Sequence, residues 1–517
     1  MLWLPFSRAQ MEPVLIAKSL MVMGTASDVG KSVVVTALCR ALARAGVRVA
    51  PFKSQNMSNN AAVCAGGGEI GRAQAVQAQA CGLEPNVDMN PVLLKTQSDM
   101  VCQVVIRGRA RFRMGVNDYE RYRDEAWPEI VSSYKSLARD FELIVIEGAG
   151  GAAEINLRHR DIVNWKIAEL ADAPVLLVAD IDKGGVFASI IGTMELLAPE
   201  ERRRIKGVLI NKFRGDVKLL ESGLRFLEQR TGVPVIGVLP WQERLGLPQE
   251  DAASLHAVEK VSADKPITIG VVHLPCISNY TDFQVLEDEP DVALHYLSDP
   301  GMAPSLDVLI LPGTKSTVAD LKWLRQTGWE DFLVRHRATG GWVLGVCGGY
   351  QMLGRLIVDP EGVESETTET IGLGLLEIET AFQEEKITDQ VRAIHLPTNI
   401  SVSGYEIHCG RIAGIPPSRA LFKLTHRDSS PVSELEGVRS DDGRVIGTSI
   451  HGLFDSAGFR RHLLDEIRTT KGLARLESDR RDDTSANRRN AFDRIADALE
   501  QCVDMSLIAK IAGVSLG

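Results

Sequence analysis

The chain has 517 residues, too many for one ordinary hydrophobic core, and its composition of 44% hydrophobic and 24% charged residues is that of a folded protein with at least two domains. A formal net charge of −10 argues against a protein that coats nucleic acid or an anionic membrane. Eight cysteines, at 39, 64, 81, 102, 276, 347, 409 and 502, contain no C-x-x-C, which fits a reducing compartment and argues against a disulfide framework or structural zinc.

In chain order, the opening MLWLPFSRAQMEPVL carries a proline inside a brief apolar run and no basic stretch before it, so a secretory signal is not expected. No apolar run reaches the ~18 residues that cross a bilayer, and a cytoplasmic location is expected, with no membrane insertion. SLMVM (19–23) then reads as a buried strand, GTASDVGKS (24–32) as a glycine loop, and SVVVTALCRALARAG as a helix with Val34, Leu38, Leu42 and Ala45 on one face. Strand, glycine loop and helix N-terminus are the parts that cradle phosphates, because backbone N–H groups and the helix dipole face the anion. The loop has one residue more than G-x-x-x-x-G-K-S, so a plain strand-to-helix turn competes with that reading.

Further runs, VRVAPF (47–52), FELIVIEG (141–148), PVLLVAD (174–180), KGVLINK (206–212) and VPVIGVLP (233–240), are apolar on both faces and separated by helix-length segments. Such runs predict a parallel sheet covered by helices. Residues 242–265 are polar and read as a linker. A second series, ITIGVVHLP (267–275), LDVLILPG (306–313), GWVLGVCGG (341–349) and GRVIGTSIHGLF (443–454), predicts another α/β unit. The expected organisation is α/β with two domains, 17–241 and 266–465, each a mainly parallel sheet covered by helices. Residues 466–517 are expected to form a polar loop and a closing helix.

In an open parallel sheet, ligands bind at the carboxyl ends of the strands, and five polar clusters fall there in the first unit. They are Lys31 and Ser32; Lys53, Gln55 and Asn56; Glu147; Asp180, Asp182 and Lys183; and Asn211 with Lys212. Gly24, Thr25, Gly30, Lys31 and Ser32 are the expected nucleotide cradle. Ser32 and Glu147 offer hard oxygens to Mg²⁺, and Lys31 offers charge to the phosphates. Asn211 could pair with an adenine edge, although an N-K pair also makes ordinary turns. A satisfied strand-end carboxylate is the competing reading for Glu147. RGRARFR would align Arg107, Arg109, Arg111 and Arg113 along one face of a strand, more in keeping with a solvated edge than with a carboxylate-binding strip.

In the second unit, LGVCGGYQMLG (344–354) sets Cys347 between a strand and a helix with glycines after it. Such an elbow presents a nucleophile to helix-start N–H groups; a buried core cysteine is the blander alternative. Of ten histidines, His451 in GTSIHGLF and His408 in GYEIHCG are the candidate bases, and spacing does not choose between them. His408 could instead bind substrate. Gly313 in LPGTKST and Gly348 are candidate oxyanion donors, and Gln351 a candidate glutamine contact.

GTASDVGKS resembles the longer phosphate loop of the dethiobiotin synthetase type, a P-loop NTPase variant with five residues between its glycines, and VCGGYQMLG with SIHGLF resembles the cobalamin branch of flavodoxin-like class I glutamine amidotransferase domains. Together with PFKSQNMSNN (51–60), EIGRAQ (69–74), DIDKGGVFAS (180–189), NKFRGD (211–216) and SNYTDF (278–283), the ordered set resembles the cobyric acid synthase family from about Ala17 onward. That resemblance implies ATP- and glutamine-dependent amidation of the b, d, e and g carboxylates of adenosylcobyrinic acid a,c-diamide, with ATP and Mg²⁺ and an anionic corrinoid as partner. It implies Cys347 as nucleophile and His451 as its base, and adds Glu69 as a candidate metal ligand. Lys53, Gln55, Asn56, Asp182, Lys183 and His408 become candidates for the substrate or acyl phosphate. Many such amidotransferases carry a glutamate two residues after the histidine. Here that position is Leu453, so the group that orients His451 is left open. The sequence also leaves room for a homo-oligomer. Competing functions are a related amidoligase, such as cobyrinic acid a,c-diamide synthase, and a partitioning-type switch ATPase; the latter would have no use for a thiol site.

Overall fold

A computed structural model describes residues 17–98, 101–115, 118–242, 246–248, 265–476 and 484–516. Most of the expected linker, the N-terminal segment read for a signal and residues 477–483 of the expected polar loop lie outside the described residues.

The first unit is built on a six-stranded parallel sheet in the order Val235–Pro240, Ile205–Phe213, Val175–Asp180, Lys18–Gly24, Leu143–Gly151 and Val49–Phe52. The five apolar runs after SLMVM all fall on these strands. Their side chains are buried on both faces because helices cover both: Met21, Met23, Ile144 and Ile146 enter one apolar cluster, and Leu20, Val22, Leu143 and Val145 the other. A smaller sheet of Gln55–Met57, Val92–Ser98, Val101–Ile106 and Arg109–Met114 lies beside it.

The second unit begins as the expected parallel sheet, in the order Val292–Leu297, Ile267–Val272, Val308–Leu311, Trp342–Val346 and Val445–Thr448. From Val445–Thr448 it continues through antiparallel strands, among them Ser430–Arg439, Ala420–Arg427, Glu379–His395 and Ile400–Ala413, into an eleven-stranded mixed sheet. This half departs from the expected mainly parallel sheet. Its strands mix buried, half-buried and exposed residues with polar side chains among them, so they lack the continuous apolar runs that marked the parallel half.

The closing segment folds back onto the first unit. Helices Thr484–Cys502 and Met505–Ala512 place Phe492, Ile495, Leu499 and Ile508 in the apolar cluster of helix Lys31–Arg44. Arg40 pairs with Asp493 at 2.8 Å, and Arg44 with Asp497 at 2.6 Å and Glu500 at 3.0 Å. Between the two units, Ala61, Val63, Leu93 and Val105 of the first pack against Tyr405 and Ile407 of the second.

Candidate active site

The glycine loop between Gly24 and helix Lys31–Arg44 turns through left-handed backbone at Asp28 (φ 56°) and Gly30 (φ 94°). Gly30 suits its place twice over, since a Cβ there would also collide with the Asn211 amide. Lys31 leads the helix and donates from Nζ to the Ala26 and Gly150 carbonyls, at 3.0 and 2.9 Å. Ser32 Oγ donates to Glu147 Oε1 at 2.8 Å, and Lys53 Nζ donates to the same oxygen at 2.9 Å. The other carboxylate oxygen accepts from Gln77 Nε2 at 2.5 Å and lies 3.5 Å from Gln74 Nε2. Burial alone would raise the Glu147 carboxyl, but Lys53 and the hydrogen bonds from Lys53, Gln77 and Ser32 outweigh it and hold it below the ordinary carboxylate range. Lys31, Ser32, Lys53, Gln55, Asn56 and Glu147 thus line one cavity of about 800 Å³. That volume falls within the range of small-molecule and cofactor sites.

Other expected residues stand apart from this cavity. Glu69, a candidate metal ligand, has both carboxylate oxygens taken by lysines: one accepts from Lys95 at 2.9 Å and the other from Lys386 of the second unit. Burial opposes its ionisation, yet the two lysines bring its pKa down to about 2. Asn211, the candidate adenine contact, has its Nδ2 donating to the Val29 carbonyl at 2.9 Å, which braces the loop. Thr25 is held by its backbone N–H on the Val178 carbonyl. Lys183 pairs with Asp28 at 3.1 Å on the outside of the loop, and Asp182 with Arg214 at 2.9 Å. Of the arginine row, Arg109, Arg111 and Arg113 lie exposed on an edge strand, whereas Arg107 turns away in left-handed backbone to pair with Asp88 at 3.0 Å. Gln74 and Gln77, the partners of Glu147, were missed. Gln74 closes the EIGRAQ stretch, and beyond that their sequence signal is an i, i+3 spacing on helix Arg72–Ala80.

In the second unit Cys347 stands between strand Trp342–Val346 and helix Gly348–Leu353 with φ 52° and ψ −110°. This strained turn is held by the Cys347 N–H on the Thr448 carbonyl at 2.8 Å and by close packing behind it. A Cβ at Gly348 would sit 2.6 Å from Thr314 Cγ2, and one at Gly349 would run into the Leu311 carbonyl. The Cys347 sulfur lies 3.6 Å from the Ile407 carbonyl and lines a small cavity with Gly348, Gln351, His408, Lys315 and Glu364.

His451, not His408, is the histidine at the sulfur. It follows strand Val445–Thr448 by three residues, and its Nδ1 donates to Asp282 Oδ2 at 2.6 Å. Burial disfavours the imidazolium, but Asp282 and Cys347, by charge and by hydrogen bonds to the ring, raise its pKa to about 10. With Nδ1 committed to Asp282, Nε2 is left for the thiol. The backbone at Gly313 reaches the same place: a Cβ on it would be 3.0 Å from His451 Cε1. His408 instead turns Nδ1 to the Gly410 carbonyl at 2.7 Å and forms one wall of the cavity. Asp282 was missed as a ligand of the histidine, although SNYTDF contains it. It comes from a turn 169 residues before His451, with no local pattern pointing there.

A phosphate-loop cavity with a serine–glutamate pair and a cysteine–histidine–aspartate triad define a two-site enzyme that couples nucleotide chemistry to acyl-group chemistry at a thiol. Two family models agree with this division. A CobQ/CobB/MinD/ParA nucleotide binding domain matches residues 20–254, and a CobB/CobQ-like glutamine amidotransferase domain matches residues 268–459. Among curated relatives, the cobyric acid synthase of Syntrophobacter fumaroxidans is 44% identical over 96% of this chain and 99% of its own. That of Sorangium cellulosum is 46% identical over 96% and 99%, and that of Photorhabdus laumondii 47% over 95% and 97%. The chain belongs to the cobyric acid synthase family.

Proposed function

We propose that the chain amidates the b, d, e and g carboxylates of adenosylcobyrinic acid a,c-diamide, consuming ATP and glutamine and giving adenosylcobyric acid. The observation that carries this reading is the Cys347–His451–Asp282 triad in the same chain as the Lys31, Ser32, Lys53 and Glu147 cavity. A carboxylate resists attack by ammonia until one oxygen becomes a leaving group. The first cavity supports transfer of the ATP γ-phosphoryl to a corrinoid carboxylate, with Lys31 and Lys53 supplying positive charge.

Ser32 Oγ and Glu147 Oε1, 2.8 Å apart, are hard donors that suit Mg²⁺. When bound there the ion would neutralise phosphate charge. At the second site His451 Nε2 takes the Cys347 proton before sulfur attacks the glutamine side-chain carbonyl, and the resulting imidazolium, favoured by Asp282, gives that proton to the departing nitrogen as ammonia. Water hydrolyses the thioester to glutamate and frees the thiol. Ammonia displaces phosphate from the acyl phosphate, leaving the amide. With eight free cysteines, the cytoplasm suits this chemistry.

The test is mass spectrometry of the corrinoid after incubation with ATP, Mg²⁺ and glutamine. Four successive replacements of hydroxyl by amine are expected. A product amidated only at the a and c positions of a less amidated precursor would assign the chain to the diamide-forming reaction instead.

A further inference from the structure

The second site is not closed by its own domain. Helix Arg72–Ala80 of the first unit has Gln74 and Gln77 on Glu147, and at its N-terminal end Arg72 crosses the apolar seam. Arg72 Nη2 donates to the Ala61 carbonyl at 2.6 Å and to the Tyr405 hydroxyl. Tyr405 stacks on His451, with ring centroids 5.2 Å apart and planes 16° apart, and the two residues exchange backbone hydrogen bonds of 3.1 and 2.9 Å. Because a guanidinium only donates, it occupies a lone pair of the phenol oxygen and leaves that oxygen's own hydrogen to point elsewhere. The acceptor in reach is Asp282 Oδ1, at 3.5 Å, whose companion oxygen holds His451 Nδ1.

A second strut runs in parallel. Ala61 N–H donates to Asn279 Oδ1 at 2.9 Å, Asn279 Nδ2 lies 3.4 Å from His451 Nε2, and Tyr280 N–H reaches Asn60 Oδ1 at 3.2 Å. Asn279 holds left-handed backbone (φ 52°), so its turn is set by what grips it.

We propose that Arg72 is a positioning residue for glutamine hydrolysis, supplied by the nucleotide-binding domain and acting through Tyr405 on the Asp282–His451 pair. The assignment rests on the triad's role under Proposed function. Arg72 touches neither the sulfur nor the glutamine cavity. Its removal therefore alters the alignment of the base and leaves glutamine binding in place. Since the same helix holds Glu147, the residue that tunes the thiol site is anchored beside the phosphate loop, which ties ammonia release to the domain that uses it.

The experiment measures steady-state glutaminase kinetics and ammonium-driven amidation for Arg72→Met, Arg72→Lys, Tyr405→Phe and the Arg72→Met/Tyr405→Phe pair in the full chain. For Arg72→Met, glutaminase kcat is expected to fall about 10- to 100-fold with KM for glutamine within about threefold, the signature of a lost transition-state alignment. Arg72→Lys, which keeps a cationic donor, should recover part of kcat. The double variant should be no slower than the worse single one, because both changes cut the same chain of contacts. Ammonium-driven amidation should stay within about twofold of the unmutated chain in all four, showing that they fold. Unchanged kcat in Arg72→Met, multiplicative losses in the double variant, or a parallel fall in ammonium-driven amidation would each overturn the assignment. Glutamine turnover that survives Cys347→Ala would instead overturn the triad reading, and this proposal with it.

Discussion

Two residues after His451 the chain has Leu453, whose side chain is buried and apolar and cannot hold an imidazole by charge. Asp282 does so from a different loop, and the same carboxylate accepts the Gly452 N–H at 3.0 Å, fixing its own orientation. The sign of its effect is definite: burial pushes His451 toward the neutral form, and Asp282, with Cys347, overrides burial and raises the pKa to about 10. Asp282→Asn removes the charge that favours the imidazolium and leaves burial unopposed on that side. The alkaline limb of the glutaminase pH profile should therefore move to lower pH, and turnover should fall roughly 10²-fold or more, the range for a compromised general base. An unshifted profile would mean that Asp282 does not orient the base.

Short elements carry the link between the domains. Glu69 lies on the three-residue strand Glu69–Gly71, Lys95 on Val92–Ser98 and Lys386 on Glu379–His395, so one buried carboxylate joins both units. Burial lowers the Lys95 pKa to about 8 against the pull of Glu69, so the pairing offsets a real desolvation cost. Glu69→Gln would leave two lysines facing an uncharged amide, at a cost of about 3–5 kcal/mol read from urea denaturation. Since the Glu69 pKa is depressed to about 2, its contribution is fully present above the ordinary carboxylate pKa and is lost as pH falls through about 2. The unmutated chain should therefore lose more stability than the variant on acidification from pH 5. Equal losses would show that Glu69 contributes little.

At the scale of the whole molecule, legibility followed burial. The parallel strands could be read because both their faces are covered, which leaves unbroken runs such as VLLVAD. Strand Glu379–His395, with one face open over much of its length, could not. Cys347 and His451 were legible because each follows an apolar strand and is flanked by glycine, and Lys31, Ser32, Lys53 and Glu147 because each lies in or just beyond the carboxyl-terminal half of a strand of one parallel sheet. Asp282, Tyr405 and Arg72 reach the thiol site across 169, 46 and 379 residues of chain, from a turn, an antiparallel strand and another domain. No local period encodes such meetings. The same holds for the lysine partners of Glu69, which are 26 and 317 residues away.

The central claim is that one chain holds two separable chemistries, nitrogen release at Cys347 and carboxylate activation beside Lys31. The measurement that tests it most directly is corrinoid amidation by Cys347→Ala, with glutamine and with ammonium as alternative nitrogen sources. Amidation should vanish with glutamine and persist with ammonium at close to the unmutated rate. Amidation that continues with glutamine, or that fails with both, would contradict the account.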